Sequence, residues 1–248
     1  MIEHQEKNMS KAIKITALSA LVLILICGIC LAFIETAKSR IRVSYRDAAI
    51  NAAEEAVKNG PKVISFEVPV TDALAIEGEK GEKDAGLEKL LQDMSTISSE
   101  HESLTLLGVL EIPAIGVKEP IWDSCSVNAL RYGVGRFPGT AQIGEAGLCN
   151  LFGHRQIGSA DTKLGSIQYL ADRIGGDVIV TTTDGVRHMY KIVDTVYVSD
   201  SDLMPYLKAD TYSEETLCIS ACGWGEDPIS GIYYPGNTEF VVICEVSK

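Results

Sequence analysis

The chain has 248 residues, room for one large or two small domains, and 46% of them are apolar, enough to build a core. The net charge is −12; residues 1–46 hold seven basic and three acidic side chains, which leaves 15 and 31, a net of −16, for the rest. That sign argues against nucleic acid or an anionic membrane surface as the partner of the body, and it reads first as solubility.

In chain order, the first element is the apolar run 15–34, 20 residues without a charge. At about 1.5 Å per residue it matches a hydrocarbon core of ~30 Å. It is longer than the apolar part of a signal peptide and no Ala-x-Ala site follows, so it is read as a retained single-pass anchor after a cytoplasmic segment 1–14. Lys7, Lys11 and Lys14 precede it and Lys38, Arg40, Arg42 and Arg46 follow, so the basic-residue count leans slightly against an extracellular body.

Residues 37–59 read as helix, with Ala48, Ala49, Ala52, Ala53 and Ala56 among charges, and Gly60-Pro61 stops it. A strand is expected over 62–70, then a highly charged stretch 77–102 with a weak helical pattern over 87–94. Together 35–105 read as a stalk or N-terminal appendage.

From 106 the texture changes. Short apolar runs at 106–112, 117–122, 147–152, 177–182, 188–198, 215–221 and 239–246 are broken by Gly, Pro and Asp. That rhythm predicts an all-β barrel or sandwich, with short helices over 126–132 and 166–173 and a hairpin turn at Asp184-Gly185. No phosphate-binding glycine loop and no metal-spacing motif is present, so no cofactor or metal is expected.

Of the seven cysteines, Cys27 and Cys30 fall in the apolar span, and Cys149, Cys218 and Cys244 sit inside strand-like runs as core residues do. Cys222 differs: it ends the run 217–222, just before the glycine-rich loop Gly223-Trp224-Gly225. His154 ends another apolar run, Asn150-Leu151-Phe152-Gly153-His154-Arg155. A thiol becomes a nucleophile beside a base or a cation, and two strands ending at one sheet edge bring such a pair together. Alternation puts Cys218, Ser220 and Cys222 on one face, and Asn150, Phe152 and His154 on one face of the other strand. By spacing alone a lone His–Cys pair carries little weight.

The flanking text adds to it. Leu110-Glu111-Ile112-Pro113-Ala114-Ile115-Gly116-Val117, then Pro120-Ile121, resembles the opening strands of sortases. So do Tyr132-Gly133-Val134-Gly135-Arg136-Phe137-Pro138-Gly139-Thr140, Gly144-Glu145-Ala146-Gly147, Asn150, Gly153-His154-Arg155, Leu170, Gly176-Asp177 and Cys222. The resemblance covers about 106–248 and implies a mainly β fold, an eight-stranded sortase-like barrel with its active site at one end. It also implies Cys222 as nucleophile and His154 as acid/base partner in a cysteine transpeptidase. Such enzymes cut a C-terminal sorting signal, often LPXTG-like, hold the product as a thioacyl intermediate and pass it to an amine of a cell-wall precursor or a pilin lysine, at the outer face of a Gram-positive-type membrane.

One departure stands out. Sortases carry an arginine at the start of the last strand, and this chain has none after Arg187. Depending on a one-residue shift, that position holds Asn237, Thr238 or Glu239; Asn237 is the expected substitute, through its amide, against a plain turn role after Pro235-Gly236. Three alternatives remain open: a sortase fold with little or no catalysis, a hydrolytic thiol peptidase, and, least favoured, a zinc site of Cys218, Cys222 and His154.

Overall fold

The computed structural model describes residues 2–60, 62–70, 101–126, 128–155 and 164–247, with side chains from Leu18 onward. The helical pattern expected over 87–94 lies outside the described residues. The chain divides into two units, 1–41 and 42–248. Both contain part of one helix, α1 (Ile2–Asn59).

In the first unit the apolar side chains of α1 are bare: Leu18, Leu21, Leu23, Ile24, Leu25, Leu31 and Phe33 are all exposed. A helix with no polar face across this stretch has nothing to gain from water on any side. Among the described residues, α1 is the one helix long and apolar enough to cross a membrane.

The second unit is a closed barrel. Its strands are β2 (His101–Ile112), β3 (Val117–Trp122), β4 (Val134–Arg136), β5 (Leu148–Phe152), β6 (Asp177–Thr182), β7 (Arg187–Ser199), β8 (Thr216–Cys222) and β11 (Thr238–Val246). They follow one another in space as β2-β3-β4-β5-β8-β11-β7-β6, and β6 closes onto β2. Closure removes the unpaired edges of an eight-stranded sheet. An additional strand, β1 (Ile64–Pro69), pairs with the outer part of β2, and β9 (Gly225–Glu226) and β10 (Tyr233–Tyr234) form a separate small hairpin. Most pairings are antiparallel; β3–β4 and β5–β8 are parallel.

All eight strands contribute to one buried cluster, including Leu110, Ile121, Val134, Leu151, Val180, Ile192, Ile219 and Phe240. A cluster fed by every strand of a closed sheet is its interior. The alternate residues face outward, where two further clusters cover them. On β2 and β3 the covering element is the last part of α1: Ala49, Ala53 and Ala56 are buried, with Leu106, Val109 and Trp122 opposite. The 3–4 spacing of those alanines explains why this part of the helix packs as an amphipathic surface helix does. Tyr45 meets Tyr132 edge to face at 5.6 Å, and Lys118 Nζ reaches Glu54 Oε1 at 2.8 Å. Residues 42–69, grouped with a stalk on sequence, thus lie against the barrel. On β5, β8 and β11 the cover is a run of 3-10 turns carrying Leu203 and Leu207, over Leu148, Cys218, Val241 and Ile243. The helix expected over 126–132 is α2 (Ala129–Tyr132), and that over 166–173 is a 3-10 helix, Ile167–Asp172.

Candidate active site at the β5–β8–β11 rim

The parallel pairing of β5 with β8 sets Leu148 opposite Thr216, Asn150 opposite Cys218 and Phe152 opposite Ser220. The hydrogen bond from Gly153 N to Ser220 O, 3.0 Å, carries the pairing one residue past β5; His154 follows directly, at the rim where β8 ends in Cys222. Within the strands, Asn150 and Phe152 stand on the face of Cys218, Ser220 and Cys222. This is the outer face of the barrel, the one that holds Val241 and Ile243, and not its interior.

Local packing fixes this rim. Asn150 is fully buried; its Nδ2 donates to Tyr206 O at 2.7 Å and its Oδ1 accepts from Ser220 Oγ at 3.1 Å, so it ties β5, β8 and the covering turns together. The residue before His154 and the residue after Cys222 are both glycines with no room for a side chain. A Cβ on Gly153 would lie 2.7 Å from Leu164 Cδ1, and one on Gly223 would lie 2.8 Å from Phe240 N.

Of the five cysteines in the barrel unit, Cys125, Cys149, Cys218 and Cys244 are buried, while Cys222 keeps some exposed surface. Burial of its sulfur, reinforced by the charge of Glu239, pushes its thiol up to about 12; Arg155 pulls in the other direction. Unassisted, this thiol stays protonated near neutral pH, so a nucleophile here needs a base beside it.

The antiparallel partner of Cys222 on β11 is Glu239. Its Oε2 is fully shielded and has no hydrogen-bond partner. Burial, with the charge of Asp200 added, raises its carboxyl to about 8. Asn237, the expected substitute for arginine, lies before β11 and is exposed; its backbone carbonyl accepts from Asp200 N at 3.0 Å. The register therefore places Glu239, not Asn237, across from Cys222.

Arg155, next to His154, reaches across to β8 and the loop after it. Its Nη1 donates to Trp224 O at 2.6 Å and to Cys222 O at 3.4 Å. Partial burial disfavours its charge, while Tyr197, Cys222 and Asp227 favour it, and burial prevails. Arg155 is a clamp on the backbone that carries Cys222.

The loop 223–236 is built as a hairpin. Asp227 is buried, and its Oδ1 accepts from Ile229 N at 3.0 Å, Ser230 N at 2.5 Å and Ser230 Oγ at 2.8 Å, while Tyr197 Oη donates to Oδ2. Burial works against this carboxylate, but the hydrogen bonds from Ser230, Tyr197 and Ile229 outweigh it and hold it below the usual range. Gln168 Nε2 donates to Tyr197 Oη at 2.7 Å and to Gly223 O at 3.0 Å, and Tyr234 stacks on Tyr197 at 3.7 Å. Asp227 thus spends its carboxylate on the loop. Asp227→Ala is expected to lower thermal stability by about 2–3 kcal/mol and to open residues 223–236 to limited proteolysis. The apolar side chains Trp224, Ile229, Ile232 and Tyr233 of the same loop stay exposed beside the rim.

A family model described as "Sortase domain" matches residues 110–242, more than half of the chain. The chain belongs to the sortase family. Among solved structures, a Clostridium perfringens sortase D5 transpeptidase is similar, with 19% identity, a TM-score of 0.52, and coverage of 83% of this chain and 99% of that one. Sortase C1 of Streptococcus agalactiae gives 19% identity and a TM-score of 0.47, covering 57% of this chain and 67% of its own. Sortase C of Streptococcus pneumoniae gives 19% and 0.48, covering 58% and 69%. No curated protein matches this sortase at a comparable level. The eight-stranded barrel and the long apolar N-terminal helix agree with the family's architecture. Of the three positions where the resemblance leads one to expect arginine, the one paired with Cys222 holds a half-buried glutamate, Glu239.

Proposed function

We propose that this sortase is a membrane-anchored cysteine transpeptidase in which Cys222 attacks a sorting signal and His154 moves the protons. The observation that supports this reading is the parallel β5–β8 pairing, which ends two neighbouring strands at one rim, with His154 two residues past β5 and the partly exposed thiol of Cys222 closing β8. In the reaction the Cys222 thiol gives its proton to His154 and its sulfur attacks the carbonyl carbon of the scissile amide. Collapse breaks the C–N bond, and the imidazolium protonates the departing amine. A second amine, from a cell-wall precursor or a pilin lysine, then attacks the thioester and restores the thiol. The exposed apolar side chains 224, 229, 232 and 233 offer the peptide a surface beside the rim. The apolar run 15–34 of α1 anchors the protein by a single pass, with residues 106–248 on the outer side.

The test is intact-mass trapping on the full chain in detergent with a panel of LPXTG-like peptides. The expected result is an acyl adduct on the parent protein and none on Cys222→Ala, with added amine converting the adduct to a new amide. Adduct turnover without amine would show a hydrolytic peptidase. A second reading, a sortase barrel without chemistry, draws on the acid that faces Cys222. A folded parent protein with a free Cys222 and no adduct across the panel would establish it.

A further inference from the structure

The rim holds an acid where the chemistry asks for a hydrogen-bond donor. When a thiolate adds to an amide carbonyl, a new C–S bond forms and the carbonyl π pair moves onto oxygen, which becomes an oxyanion. Stabilising that oxygen is commonly the largest single contribution to acyl transfer. An arginine does this by charge. Nothing cationic stands on β11 at this place.

Glu239 stands there instead, and its placement is specific. It is the direct cross-strand partner of Cys222, and directly opposed side chains have Cβ atoms about 4.5–5.5 Å apart on one face. Its other neighbour, on β7, is the apolar Val198, which offers its carboxyl no partner. The charged and titratable groups that act on it are the Cys222 thiol from β8 and the Asp200 carboxylate from the turn after β7. Arg155 spends its guanidinium on the backbone carbonyls of Cys222 and Trp224. An ionised Glu239 would put a carboxylate against Asp200 and against the developing thiolate, so the site favours the neutral acid.

We propose that Glu239, as a neutral carboxylic acid, is a catalytic residue that donates its O–H to the substrate oxyanion in place of the family's arginine. The inference rests on the reading of Cys222 as an acyl-accepting nucleophile. The acid keeps its proton throughout: it hydrogen-bonds the oxyanion while the C–S bond forms, and is released when the π bond re-forms and the C–N bond breaks, the leaving amine taking its proton from His154. A buried acid held neutral is a donor without a net charge, so it stabilises the oxyanion without drawing the thiolate into a permanent ion pair.

The experiment is single-turnover acylation of the full chain in detergent by an LPXTG-like peptide, from pH 6 to pH 10, for the parent, Glu239→Gln and Glu239→Ala, beside alkylation of Cys222 by iodoacetamide. Alkylation requires the thiolate but forms no oxyanion. With the carboxyl near 8 and the thiol near 12, the parent's acylation rate is expected to fall above about pH 8, where Glu239 ionises. Glu239→Gln keeps a neutral donor of the same shape; it is expected within about tenfold of the parent at pH 7 and without the fall near pH 8. Glu239→Ala is expected to lose about 10²–10³ in the acylation rate constant with little change in peptide affinity. Neither variant slows alkylation. The proposal is overturned if Gln is as slow as Ala, if Ala matches the parent, or if the alkaline fall persists in Gln; the Gln variant carries the test should Ala fail to fold. A parent that alkylates at Cys222 but acylates at no pH overturns the transpeptidase reading as well, a result separate from acylation that ignores Glu239.

Discussion

His154→Ala is expected to slow acylation of Cys222 by about 10²–10⁴-fold while leaving the barrel folded. The size follows from the thiol. With its proton affinity raised, chiefly by burial, only a very small share of Cys222 is ionised at pH 7 without help. The arrangement therefore leans on its base more than a surface cysteine would. His154 lies beyond the last paired residue of β5 and is only partly buried, so its removal leaves no hole in the core. Stopped-flow or quenched mass spectrometry measures the rate, and thermal unfolding confirms the fold. Iodoacetamide alkylation should slow in parallel, because His154 acts on the thiol itself. Equal rates in parent and variant would remove His154 from the reaction and leave Cys222 to another base.

Glu239→Gln is expected to stabilise the protein in alkaline solution and to change little in acid. The carboxyl ordinarily titrates near 4.5 and is raised to about 8 in the fold, mainly by burial. The folded state thus holds this proton more tightly than the unfolded chain does. Stability attached to the proton is fully present below about pH 4.5 and drains away as pH rises through 8. Glutamine has no proton to lose, so parent and variant should coincide near pH 5 and diverge toward pH 9. A difference on the order of 2–4 kcal/mol is expected there, or roughly 5–15 °C in the unfolding midpoint of a chain of this size. A constant offset at all pH values would mean that the carboxyl is not held neutral by its surroundings.

Much of the barrel was legible from alternation and breakers. The runs expected at 117–122 and 177–182 are β3 and β6 to the residue, the stretch 62–70 holds β1, and the run 239–246 misses β11 by one residue at its start. β4, β9 and β10 were not, because strands of three and two residues complete no period, and partners far away in sequence define them. That His154 and Cys222 lie at strand ends could be anticipated, since each follows an apolar run whose end is marked by glycine. Glu239 stood among three positions that sequence left open. A one-residue slip turns a side chain to the other face, and only the pairing of β11 with β8 sets the register. The contact of Arg155 with the Cys222 carbonyl was not legible, because alternation stops with the strand at Phe152. Nor was the burial of Asp227, because sequence shows a charge without showing whether water reaches it.

The parallel β5–β8 ladder has a consequence for the life of the molecule. Parallel neighbours cannot form by a simple hairpin; between β5 and β8 the chain must first lay down β6, β7 and the covering turns. Closing so distant a contact is slow and comes at the expense of a large loss of chain freedom. Until it closes, Cys222 is a solvated thiol with the ordinary proton affinity of a cysteine, because the burial that raises it belongs to the finished barrel. The ends of β5 and β8 meet at one rim only in molecules that have completed this contact, so the oriented centre that acyl transfer needs is the last thing the slow ladder delivers.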